Sequence, residues 1–164
     1  MTVALTGVWR LVEWVKVHAA GPVEHPFTER AQGRVLYAPQ GVMAGFLMHP
    51  EWPAQGRVSG VQNDGFIAYS GRYEARDGAI RHYVDMATEP GWVGAVLERY
   101  SQAEGPLLVL TTRPVGQPAS AAGWLHHRLT FSPEAPGDPG PVSPPRTTLR
   151  RAAEPHPIPS VARD

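Results

Sequence analysis

Phe66-Ile-Ala-Tyr-Ser-Gly-Arg-Tyr-Glu-Ala-Arg-Asp-Gly-Ala-Ile-Arg-His-Tyr-Val-Asp-Met-Ala87 is the stretch whose reading decides the fold. Its first half, residues 66–75, sets Ile67, Tyr69, Gly71 and Tyr73 on one face and Ala68, Ser70, Arg72 and Glu74 on the other. That two-residue alternation is the mark of a half-buried strand. Arg76-Asp77-Gly78 follows as a tight hairpin signal. The second half, residues 79–87, puts Ile80, His82, Val84 and Met86 on the apolar face, opposite Arg81, Tyr83, Asp85 and Ala87. Two such strands joined by so short a turn must lie antiparallel, with a histidine on the apolar side.

Outward from this hairpin the pattern repeats. Further strands are predicted over residues 7–17, 33–38, 42–48, 92–101, 107–112 and 124–131, eight in all. Tight connections fall at Pro39-Gln40-Gly41, Arg76-Asp77-Gly78 and around Glu104-Gly105-Pro106, whereas segments 18–32, 49–65 and 113–123 are long. Successive connections of an up-and-down meander lie at opposite ends of the sheet. The tight turns therefore collect at one end and the long loops rim the other, which describes a cup. Closing the eight strands removes the exposed edges and leaves an interior wide enough for side chains or one small ligand. A two-sheet sandwich shares most of these signals, although long strands with repeated glycines suit a curved, closing sheet.

Bulk properties exclude several functions. With 15 basic and 15 acidic residues, the chain has no electrostatic footprint for nucleic acid. Arg150-Arg151 is the only adjacent basic pair, and no apolar run approaches the ~20 residues of a membrane helix. The chain has no cysteine, which excludes thiol catalysis, thiolate metal sites and disulfides. A soluble, cytoplasmic protein is expected, with no nucleic acid or membrane partner. Nine of the 18 prolines lie after Ser132, while every Trp, Phe and Tyr lies at or before Phe131. Residues 1–132 thus read as the barrel domain and 133–164 as a disordered Pro-rich tail, since such a segment cannot supply ladder hydrogen bonds.

Gly7-Val8-Trp9-Arg10-Leu11-Val12 resembles the Gly-x-Trp start of lipocalin or calycin barrels, in which the Trp plugs the closed end and an Arg of the last strand packs over it. Arg128 is the residue that matches that Arg. More closely, Gly33-Arg34-Val35-Leu36-Tyr37-Ala38-Pro39-Gln40-Gly41, Tyr69-Ser70-Gly71-Arg72-Tyr73-Glu74, Trp92-Val93-Gly94, Arg99-Tyr100 and Leu110-Thr111-Thr112 resemble the lipocalin-like domain family of bacteria and fungi. The likeness runs from about Leu5 to Phe131. It implies an eight-stranded antiparallel up-and-down barrel with an apolar cavity for a small molecule, and it implies no reaction. Some lipocalin-like barrels of natural-product pathways act as cyclases, which adds an enzymatic reading. The inward parity of residues 124–131 (Leu125, His127, Leu129, Phe131) points Arg128 outward, in conflict with the calycin role.

The polar residues expected inside are Glu13, Tyr69, Tyr73, His82, Arg99 and His127. Parity leaves the inward face of residues 92–101 undecided, so Arg99 depends on that choice. A carboxylate in an apolar cup has a raised pKa, and a buried histidine is held neutral. Glu13 beside Arg99 would make a neutral internal pair; Glu13 beside His82 would make an acid–base dyad able to move a proton on a bound enol or carbonyl. Tyr69, Tyr73, Arg99 and His127 are expected to contact ligand, with Met48, Trp52 and Trp92 at the rim. His49-Pro50-Glu51-Trp52-Pro53 reads as a lid or an ordered loop. His126 and His127, adjacent on a strand, point to opposite faces and cannot share a metal; neither a metal nor a cofactor is implied. Three readings follow: a carrier of a small, largely apolar molecule; a cofactor-independent cyclase or isomerase; and a homodimeric module joined through the doubly apolar first strand.

Overall fold

The computed structural model describes residues 4–137 apart from 22, 115 and 122. Its strands are β1 (Gly7–His18), β2 (Val23–Glu24), β3 (Gln32–Tyr37), β4 (Val42–Met48), β5 (Phe66–Arg76), β6 (Ala79–Ala87), β7 (Val96–Glu104), β8 (Leu107–Thr111) and β9 (Trp124–Pro133). From β3 to β9 each strand pairs antiparallel with the next. β1 joins β3 through Gly7–Arg10 on one side and β9 along most of its length on the other. The sheet is therefore closed, an eight-stranded up-and-down barrel in which β2 is a two-residue addition to the end of β1. The sandwich alternative is excluded.

The deciding hairpin forms as read. Asp77 and Gly78 sit at φ 53 and 78, the left-handed pair of a type I′ turn whose twist matches the flanking strands. Tyr73 faces His82 and Ala75 faces Ile80 across β5 and β6. The tight turns gather at the end where Trp9 is buried, and the long loops gather at the other. Of those loops, segment 49–65 is bonded to itself, from His49 N–H to the Gly65 carbonyl and from Val58 N–H to that of Asp64. It is an ordered loop that holds His49 and Val58 buried.

Two bulges correct the parity. In β1 the register with β9 slips between Leu11 and Glu13, leaving Val12 as the extra residue. Trp9 and Leu11 before the bulge and Trp14 after it all turn inward and are buried. The two-sided hydrophobicity of this strand thus has an internal cause, because one core face is written in two parities. In β6 the ladder slips at Asp85, and Met86, expected inside, is instead 66% exposed.

β7 begins at Val96, four residues later than predicted, because Pro90–Trp92 forms a 3₁₀ turn and Gly94 adopts φ 82. Ile80 faces Arg99 and His82 faces Leu97 across the β6–β7 ladder, which settles the undecided face: Leu97 and Arg99 point inward. Arg128 lies on the outer wall, bridging Glu104 at 2.8 Å and Glu13 at 3.6 Å. The calycin expectation for it fails here, and the indole of Trp9 instead donates to the Leu5 carbonyl. β9 runs through Pro133, and Glu134 is held by Arg34 at 2.7 Å and Arg10 at 3.4 Å. Residues 138–164 of the proposed tail lie outside the described residues. Among the described residues no helix is long and apolar enough to cross a membrane.

Candidate functional site

His82 lies at the centre of the interior and is 1% exposed. Its Nε2 is 2.9 Å from the Tyr37 hydroxyl, and its Nδ1 is 3.0 Å from that of Tyr69. Three strands meet in this chain of bonds, since Tyr37 ends β3, Tyr69 is on β5 and His82 is on β6. Burial, and then repulsion by Arg99, push the His82 pKa down to about 3, so the ring is neutral. Burial also raises the Tyr37 phenol well above its ordinary value. Both His82 nitrogens are therefore hydrogen-bonded to tyrosine hydroxyls.

Arg99 and Tyr69 line a partly open cavity of about 60 Å³ with Val35, Leu47, Ile67, Leu110, Leu129 and Phe131, and Arg34 and Phe46 at its outer side. The one hydrogen bond of the Arg99 side chain within the described residues goes from Nη1 to the Glu98 carbonyl, and no described carboxylate lies within ion-pair distance of it. Five strand carboxylates are turned outward, Glu13 and Glu104 to Arg128, Glu98 to Arg81, Glu74 to Tyr83 and Asp85 to Ser70, and Glu24 of β2 is held by His18 and Lys16.

His127 accepts at Nδ1 from the Trp14 indole at 3.1 Å. An indole nitrogen can only donate, so the neutral ring carries its proton on Nε2. Burial first, then Lys16 and Arg99, lower its pKa to about 4. Trp92 packs edge-on against Tyr69 at 5.6 Å, and Phe27, fully buried, against Trp14 at 4.9 Å.

The structure therefore brings Tyr69, His82, Arg99, His127 and Trp92 together and separates the rest. Glu13 is exposed on the outer wall, turned there by the Val12 bulge, so neither the Glu13–His82 dyad nor the Glu13–Arg99 pair assembles. Tyr73 faces inward, but its hydroxyl donates to the Ala38 carbonyl and its ring packs on Tyr37 at 4.9 Å, which makes it part of the floor. Trp52 stacks on Phe66 at 5.5 Å outside the rim. Met48, opposite Phe66 in the ladder, likewise faces outward. It lines a groove of about 350 Å³ with Arg10, Leu11, Arg34, Phe46 and Phe66, where β1 parts from β3. Tyr37 was not among the candidates, although it shares parity with inward Val35 on a strand already assigned, and that parity is the signal for it. Among the described residues, no three His, Asp or Glu side chains gather where a metal would sit.

Comparison with known families matches residues 6–132 to the lipocalin-like domain. The chain belongs to the lipocalin-like domain family. The match spans the closed barrel from just before Gly7 to the penultimate residue of β9, and lipocalin-like barrels are in general a ligand-binding fold. A search of curated proteins returned no match.

Proposed function

We propose that this lipocalin-like barrel binds a small, largely apolar molecule in its interior. The reading is carried by the placement of Arg99 and Tyr69 on a cavity whose other lining, apart from Arg34, is apolar, and Arg34 is bonded to Glu134. A few polar groups converging within an apolar pocket orient what it holds. At about 60 Å³ the cavity takes only a small group as it stands, so a larger ligand enters by displacing Trp92 from Tyr69. The outer groove is roomier, yet its arginines are already bonded to Glu134.

Titration with 8-bromo-octan-1-ol, whose bromine quenches nearby indoles, tests the reading. Saturable quenching that shrinks in Trp92→Phe and persists in Trp52→Phe is expected. Absence of saturable quenching, or quenching that depends on Trp52 alone, would count against it.

A cofactor-independent cyclase or isomerase is the second reading, favoured by the Tyr37–His82–Tyr69 chain. In it Tyr69 and Arg99 hydrogen-bond a ligand carbonyl oxygen and polarise it for ring closure, without the acid–base dyad of Glu13 and His82, which does not assemble. Under that reading Tyr69→Phe abolishes turnover and leaves binding in place; under the carrier reading it alters affinity alone.

A further inference from the structure

We infer that Arg99, with the Tyr69 hydroxyl beside the same cavity, seats the carboxylate of a monoanionic ligand whose remaining body is apolar. This assignment rests on interior binding and specifies the chemical class of the guest.

Charge is the first argument. A guanidinium stays protonated at any ordinary pH and offers five N–H donors. Arg99 gives one of them to the backbone carbonyl of Glu98. No described carboxylate lies within ion-pair distance of Arg99, Glu24 being held by His18 and Lys16, and the two inward histidines are neutral. Arg99 is half-buried and lines the cavity, and its field contributes to the shifts of Tyr37, His82 and His127 alike. Such a charge is costly unless it is paired and hydrogen-bonded. A cationic guest is repelled by it, and a neutral one leaves it unpaired. Arg34 of the same lining is bonded to Glu134, so the one remaining positive charge matches a single negative one, which favours a monocarboxylate over a phosphate dianion.

Proton accounting supplies the second argument. Tyr37 is 1% exposed, and His82 is the hydrogen-bond partner of its hydroxyl. If His82 donated from Nε2, the Tyr37 proton would be buried without an acceptor, which native interiors avoid. Tyr37 therefore donates to Nε2. The neutral ring then carries its proton on Nδ1 and donates it to the Tyr69 oxygen. That leaves the Tyr69 O–H free to donate in turn, from a residue lining the cavity. A carboxylate accepts from both groups and has no proton to offer in return. Leu47, Ile67 and Leu129 then meet the apolar body.

Calorimetric titration with octanoate, octan-1-ol and octylamine at neutral pH tests the inference. Octanoate should bind at least about tenfold tighter than the alcohol, the margin expected of a charge-assisted pair, and the amine weakest. Arg99→Met should bring acid and alcohol together, and Tyr69→Phe should weaken the acid about three- to tenfold while sparing the alcohol. Equal acid and alcohol binding to the wild type, or a preference that survives Arg99→Met, overturns the carboxylate seat and leaves interior binding standing. Failure of all three probes to bind removes interior binding and the seat with it. Should Arg99→Met not fold, the Arg99 Nε–H resonance of the wild type decides: a shift with octanoate and none with octan-1-ol supports the seat, and no shift with octanoate overturns it.

Discussion

His82 has the residue type of a general base and the surroundings of a structural strut. With both nitrogens bonded to tyrosines and almost no exposed surface, it ties β3, β5 and β6 together. Its neutrality has a consequence for stability. The folded ring takes up a proton only near pH 3, whereas an unfolded histidine does so near 6.5. Between those values the unfolded chain binds more protons, so stability falls as pH falls through that window and is fully present above about 6.5. From pH 7 to 5 the loss is about 2 kcal/mol from His82 alone, and His127, folded pKa about 4, acts in the same direction. Urea midpoints across that range should drop steeply in the wild type, and by distinctly less in His82→Gln relative to its own value at pH 7. A flat wild-type profile would show that the histidines are not held neutral.

At the scale of elements, Gly71 makes the bulge between β5 and β6 possible. A Cβ there would lie 1.9 Å from the Tyr83 carbonyl oxygen and 2.8 Å from its carbon, and backbone cannot step aside as a side chain can. Gly45, one strand over, would place its Cβ 3.4 Å from the Tyr69 ring, an ordinary contact. Gly71→Ala should therefore cost at least about 3 kcal/mol and Gly45→Ala no more than about 1 kcal/mol, read by chemical denaturation. Similar losses at the two sites would contradict this account of the bulge.

The same bulges mark how far the sequence could be read. Alternation, β-branched and aromatic content and turn residues were enough for every strand of the barrel and for the inward placement of Tyr69, His82 and His127. Parity counts residues, so it cannot see an extra one. Val12 therefore concealed that Trp9, Leu11 and Trp14 share a face while Glu13 does not, and Asp85 did the same for Met86. Arg99 came within reach only once the ladder to β6 was known, because Trp92–Gly94 looked like strand. A tryptophan at the rim also gives no local sign of whether it packs on an inward ring, as Trp92 does on Tyr69, or leans on the wall, as Trp52 does. That choice is made by tertiary packing.

For the molecule as a whole, closure and charge placement act together. β1 meets β9 to complete the wall, and Glu134, just past β9, is bound to Arg34 of β3 and Arg10 of β1 beside the gap where those two strands separate. Opposite charges are matched on the outside, and among the described residues no carboxylate lies within ion-pair distance of Arg99. Two concavities of the barrel differ in character. The inner one is small and carries a cation, and the outer groove is larger and mostly apolar. Which of them takes a guest is the central question. Methyl-resolved NMR of the leucines, isoleucines and methionines during titration with octanoate answers it most directly. The account predicts that Leu47, Ile67, Leu110 and Leu129 shift together and saturate while Met48 and Met86 stay in place. Saturable shifts confined to Met48 and Met86, with the inward methyls unmoved, would contradict it.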